Sequence, residues 1–463
     1  MAFAYRMMLL RRTLLLGLVV SGWMSPARAD DKAANEATQP EQATKADPLL
    51  ELVDEAILRT RMRYLDRDQH TPWQIMHGIL ALRQDYEIKA EGERISAIDW
   101  ISDGATYQGE HWFEATPYGG RGHPFSVPYA FEGHVNQFLA ILTMSNLPLD
   151  HEFRVKDNQV VTMADMVRHA QMFTNSNEET TWTLWFLTRY LEPEAQWTNR
   201  NGEAWSIERL VQIQTRSPVV KAPCGGTHQL FALSLSRNAY MLEHGRLRGA
   251  WLEADQKIQS HIAAAQSMQN SDGSFSTAFF KGRGFSYEFN ERIKSSGHML
   301  EWLMVALPER RLEETWVKRA VESVARDLVV NSNQPADCGP LYHALHALVL
   351  YRERVGDTPP TVEPPTEVAE KPSENEQASM PTPDSESSRP ELRIDDGAGV
   401  EDDIMLPPPP PAPIRVADLL DPSEAGDIDE ARPRPPRTPD SDAPIRVGDD
   451  SPPVRPAGGK RRN

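Results

Sequence analysis

The chain has 463 residues, with 67 acidic against 49 basic side chains, a formal net charge of −18 and two cysteines. This acidity argues against a nucleic-acid partner, because phosphate binding needs a basic surface. Past the first thirty residues no segment reaches about 18 uninterrupted apolar residues, so no transmembrane span is expected in the mature chain.

The N-terminus carries Arg6, Arg11 and Arg12, then an apolar run over residues 13–20, then Ala27-Arg28-Ala29. That is the order of a secretory signal, and it predicts a signal peptide over 1–29 and a periplasmic or secreted protein. Arg11-Arg12 is a partial twin-arginine pattern, although the general secretory route fits the whole segment better. Residues 30–47 read as a disordered linker.

Residues 48–355 form one helical domain. Amphipathic helices are predicted at 48–65, 162–173, 204–214, 254–269 and 311–330, with a weaker one at 91–101. In 311–330, Trp316, Ala320, Val321, Val324 and Leu328 make one stripe while Lys318, Arg319, Glu322 and Arg326 point away. Helices apolar around more of their circumference are predicted at 72–83, 131–144, 179–191, 227–242, 296–307 and 341–351. A Gly-His signature recurs at the expected starts of the second set: His77-Gly78, Gly133-His134, Gly226-Thr227-His228, Gly297-His298 and Gly339 to His343. Such recurrence predicts an all-α repeat fold, an α/α toroid of about six inner and five to six outer helices, with the signature around one opening. Two aromatic-rich loops, 102–129 and 273–287, are expected to fold over a rim.

From 356 to 463 proline and acidic residues dominate and aromatics are absent, so a disordered tail is expected. It holds about 24 acidic and 12 basic residues and therefore most of the net negative charge. The pentapeptide A-P-I-R-V occurs at 412–416 and again at 443–447. It reads either as a docking motif for an unknown protein or polymer partner, in two copies, or as a duplication of low-complexity sequence.

Two stretches resemble terpene cyclases and protein prenyltransferase β subunits. Residues 263–275 are similar to the helix end of those families, a glutamine followed by D-G-x-aromatic at Asp272-Gly273-Ser274-Phe275, and residues 341–348 resemble a Y-H inner helix of prenyltransferases. The resemblance implies the toroid but not the reaction. The D-x-D-D acid of the cyclases is missing between 48 and 355. The zinc ligands of the prenyltransferases have one counterpart, His343 after Tyr342, while Asp337 and Cys338 are adjacent rather than spaced as in that family.

The sharpest local motif is Cys224-Gly225-Gly226-Thr227-His228. With Cys338 and His343 it supplies two sulfurs and two imidazoles, a set that suits zinc, and a Cys224–Cys338 disulfide is the competing reading. His77, His134 and His298 are expected on the rim of the cavity. Catalytic candidates are His228, His343, Glu132 and Tyr342, and a carbohydrate lyase or hydrolase would add Arg121, Asn136, Glu178, Glu179 and Asp337. The expected function is a binding or scaffold role for a toroid with a His/Cys-lined opening, with a zinc-dependent enzyme or a carbohydrate-active enzyme as alternatives.

Overall fold

A computed structural model of the chain describes residues 47–123, 130–356 and 392–393. The expected signal peptide, most of the linker and both tail pentapeptides lie outside these residues. The described part belongs to the segment Met1–Gly399 and is mostly helical.

Among the described residues there are twelve α-helices. The first six in chain order are α1 Pro48–Arg61, α2 Pro72–Leu82, α3 Ala97–Ser102, α4 Gln137–Leu142, α5 Met163–Phe173 and α6 Thr181–Tyr190. They are followed by α7 Ile207–Arg216, α8 Thr227–His244, α9 Gly249–Met268, α10 Phe289–Ala306, α11 Thr315–Val330 and α12 Cys338–Val355. The even-numbered helices are the more apolar set, and they pack on one another in cyclic order: α2 on α4, then α6, α8, α10 and α12, with α12 returning to α2. The odd-numbered helices lie against them, α1 on α12, α9 on α8 and α11 on α10, and also on each other, as α11 does on α1. Burial follows this order. Every residue of α2 is buried, whereas α11 buries only a stripe that includes Trp316, Ala320, Val324 and Leu328.

Local chemistry sets where these helices begin. Thr71 accepts the Gln74 N–H while the Gln74 side chain accepts the Thr71 N–H, a reciprocal cap that starts α2 with Pro72 in its first turn. Thr162 and Asp165 do the same for α5, and Ser206 caps α7. The closest helix pair is α10 on α12. There a Cβ on Gly297 would sit 2.9 Å from the Ala344 backbone, so only glycine allows the approach.

Strands interrupt the expected all-helical order. β1 (Glu87–Ala90) and β2 (Glu93–Ser96) form a hairpin where a helix was expected at 91–101, and only Ala97–Ser102 is helical. The turn explains the difference: Glu91 and Gly92 both take positive φ, which a helix cannot absorb. The expected loop 102–129 holds two more hairpins, β3–β4 (Thr106–Tyr107, Glu110–His111) and β5–β6 (Phe113–Thr116, Gly119–Gly122). Hairpins β7–β8 (Glu152–Arg154, Val160–Thr162) and β9–β10 (Gln196–Thr198, Ala204–Ser206) lead directly into α5 and α7. A two-residue parallel pairing joins β11 (Ala336–Asp337) to β12 (Leu392–Arg393). No helix among the described residues is long and apolar enough to cross a membrane.

Candidate metal centre

Four of the signature histidines do not start helices. His77-Gly78 lies midway along α2 and His298 midway along α10, with one full turn or more of helix before each, and His343 is in the second turn of α12. Only His228 is in a first turn, and His134 precedes α4 altogether. Being further along their helices carries the imidazoles inward. His77, His228, His298 and His343 are 2–6% exposed, so the expected rim positions of His77 and His298 are corrected to interior ones.

These four rings form one cluster. Ring centres are 5.0 Å apart for His228 and His343, 5.2 Å for His228 and His298, 5.3 Å for His77 and His343, and 3.9 Å for His298 and His343. Two imidazoles sharing a tetrahedral ion through bonds of 2.0–2.1 Å have ring centres roughly 5 Å apart. Three of the four separations match that spacing, and the closer His298–His343 pair is tilted, its ring planes inclined at 32°.

The Nδ1 nitrogen of three of these rings is fixed. His77 Nδ1 lies 2.7 Å from the Trp73 carbonyl and His298 Nδ1 2.7 Å from the Lys294 carbonyl. A carbonyl only accepts, so Nδ1 carries the proton in both and Nε2 presents a lone pair. His343 Nδ1 lies 2.8 Å from one oxygen of Glu301, and His346 Nδ1 lies 2.6 Å from the other. Helix spacing makes this possible: Glu301 follows His298 by three residues, His346 follows His343 by three, and the Gly297–Ala344 contact brings the two faces together. Supporting a ring through Nδ1 while Nε2 stays available is how proteins orient histidine ligands.

Burial keeps the rings neutral. It pushes His77 and His343 down to about 3, and it holds His228 and His298 well below the ordinary histidine value, with neighbouring imidazoles adding to the effect at His77, His228 and His298. Burial also raises Glu301, against the hydrogen bond from His346. His228 Nε2 is buried and has no hydrogen-bond partner among the described residues, which a buried polar atom rarely tolerates.

Cys224 joins the cluster. One donor atom each from Cys224, His228 and His298 lies within 4.8 Å of the others, and the same holds for His228, Glu301 and His343. Cys224, Gly225 and Gly226 all take left-handed φ, at 50°, 62° and 79°, which a non-glycine residue adopts only under constraint. A Cβ on Gly225 would meet the Phe279 ring at 2.2 Å and one on Gly226 the Val219 carbonyl at 2.4 Å, so this turn lies tight against its neighbours.

The expected Cys224, Cys338, His228, His343 quartet is therefore brought together only in part. Cys338 and His343 are five residues apart on α12, which places them about 140° apart around the helix. Cys338 Sγ points to the Gln74 carbonyl at 3.5 Å instead. Tyr342 is on that side too, its hydroxyl 3.2 Å from Tyr86 and donating to the Arg63 carbonyl at 3.4 Å, so it does not face the imidazoles. The two cysteines are not joined in a disulfide.

His134 takes no place in the cluster. Its Nδ1 is 2.7 Å from Glu179, and its ring stacks on Trp182, which also contacts His228 at 4.7 Å. Glu132, Arg121, Asn136, Glu178 and Glu179 line a separate cavity of about 140 Å³. Asp337 directly precedes α12, and its backbone N–H donates to Asn290 Oδ1 at 3.0 Å. Glu301 and His346 were missed from sequence. The available signal was one acidic residue inside the otherwise apolar run Met299 to Met304. No family model, curated protein or solved structure matches the chain.

Proposed function

We propose that the protein is an α/α toroid whose function depends on a transition-metal ion of the zinc class, held at the centre of the ring by Cys224, His228, His298 and His343, with His77 alongside. The cyclic packing of the even-numbered helices supports the toroid. The observation that carries the metal is His228 Nε2, buried without a partner amid neutral imidazoles whose Nδ1 atoms are already engaged. Imidazole and thiolate together suit zinc or a neighbouring divalent ion. When bound, the ion would supply Lewis-acid chemistry or hold the surrounding helices together.

The alternative of histidines that merely pack in the core explains their burial but not the orphaned nitrogen. A scaffold role built on a His/Cys-lined opening has less support, because the rings are interior. Export is part of the same reading, resting on residues 1–29, and N-terminal sequencing of the secreted form should begin near Asp30.

Purified protein should carry close to one equivalent of zinc by elemental analysis, and cobalt exchanged into it should show a thiolate-to-metal charge-transfer band that Cys224→Ser abolishes. His228→Ala, checked for folding by circular dichroism, should retain less than a tenth of the bound metal. Metal content unchanged in both variants would refute the site.

A further inference from the structure

A second cavity lies between β5–β6, α5 and the starts of α4 and α6. The charged groups on its polar wall are mostly engaged with partners, and the exposed Glu178 at its edge is in no ion pair among the described residues. Arg121 gives two hydrogen bonds to Glu114, at 2.9 and 2.8 Å, so its charge is matched outside the cavity. Glu179 lies 2.7 Å from His134 Nδ1, and this contact holds it below the usual carboxylate range although burial works against it. Glu132 is only 4% exposed and accepts the Phe138 N–H at 2.9 Å. Burial pushes Glu132 up to about 8, so near neutral pH it presents an O–H rather than a charge.

The floor is equally specific. Asn136, in a left-handed conformation, donates to Thr183 at 2.8 Å. Phe173 contributes little open apolar surface, because His169 stacks on its ring at 4.1 Å and the Arg200 guanidinium lies 3.9 Å from its centre. An apolar ligand would leave these polar groups without partners, an anionic one would meet Glu178 and Glu179 with no free cation, and a cationic one would meet only the exposed Glu178 outside the existing pairs. What fits is a small uncharged molecule with many hydroxyls, each able to donate and accept.

We propose that this cavity binds one sugar unit of a neutral glycan, with Glu132 as a hydrogen-bond donor to a ligand oxygen and Glu179 as an acceptor from a ligand hydroxyl. The volume of about 140 Å³ is the scale of a single pyranose ring rather than of a long chain. The site does not depend on the metal: Trp182 stands between His134 and His228, and the experiment below runs equally well on chelator-treated protein.

Saturation-transfer NMR would use cellobiose, chitobiose and maltose as neutral probes, with glucuronate and glucosamine as charged ones. At least one neutral sugar should bind at least about tenfold more tightly than either charged probe. From pH 7 to 9.5 wild-type affinity should fall about tenfold as Glu132 loses its proton, and Glu132→Gln, which keeps a donor, should bind with no such fall. The groups facing Glu132 are Arg121, His134, His169, Glu178 and Glu179, with Glu114 behind Arg121. A pH response that persists in Glu132→Gln would assign the titration to one of them and overturn the proposal. Glu179→Gln, folded by circular dichroism, should weaken binding about tenfold. Binding of no neutral sugar, or equal binding of the charged probes, also overturns it.

Discussion

Glu301 supports two imidazoles of the proposed metal centre at once. It receives one imidazole on each oxygen, is itself 1% exposed, and lies where no water can replace a lost partner. Glu301→Gln keeps the volume but turns one acceptor into an amide donor, which mismatches one of the two rings. The expected results are a loss of roughly 1–3 kcal/mol in stability and a drop in metal affinity of about 10–100-fold. Urea unfolding and competition with a chromophoric chelator measure these separately. Glu301→Asp, too short to span both rings, should fail in the same direction, and a variant with unchanged affinity would show that His343 needs no support. A sequence can reveal such a residue only as an anomaly, since nothing in the spacing of His343 and His346 names the partner that comes from a different helix.

The helices of the second half were legible because their periodicity is long and clean. The predicted 254–269 and 311–330 correspond to Gly249–Met268 and Thr315–Val330. Where the chain turns every few residues, the apolar pattern was read as helix or loop, and the strand content was missed. The unit that escaped notice is a hairpin feeding a capped helix, present three times as Ser96-Ala97-Ile98, Thr162-Met163-Ala164 and Ser206-Ile207-Glu208. Each begins at a hydroxyl residue that ends a strand and opens the helix, so the signal was the cap rather than the apolar stripe. Histidine positions were misplaced for the same reason: glycine beside histidine was taken as a helix start, whereas Gly78 and Gly297 serve close packing inside helices. Removing a cap should cost about 1 kcal/mol, and Thr162→Ala, which removes the Oγ1 half of the reciprocal cap and leaves the backbone N–H bond to Asp165 in place, should fall within a range of roughly 0.5–2 kcal/mol. Gly297→Ala presses a methyl group into the α12 backbone and should destabilise by about 1–3 kcal/mol in urea unfolding.

For the molecule as a whole, the buried titratable groups set a stability profile with a definite sign. His77 and His343 have pKa values depressed to about 3 in the folded state, and unfolded histidine titrates near 6.5. Below about pH 6.5 the unfolded chain therefore binds more protons, and stability is lost as pH falls toward 3. Glu132 works the other way: its folded pKa of about 8 exceeds the unfolded value, so its contribution is lost as pH rises through 8. Several histidines oppose Glu132 and Glu301 in the acid limb. Chelator-treated protein should be most stable near pH 6.5–7, with thermal midpoints dropping more steeply on the acid side, and zinc should flatten that limb by opposing protonation of its ligands. A midpoint that rises on acidification would contradict the assignment of neutral, buried imidazoles. The packing of α12 on α2 and of α11 on α1 has a further consequence, for how the chain is made. These contacts join segments more than 250 residues apart, and the loop entropy they must overcome is repaid only when both partners exist. During synthesis the early helices must wait, with α2 apolar on every side and no neighbour to cover it, until Cys338–Val355 has emerged. The ion proposed above would meet its ligand from α12 only after that closure.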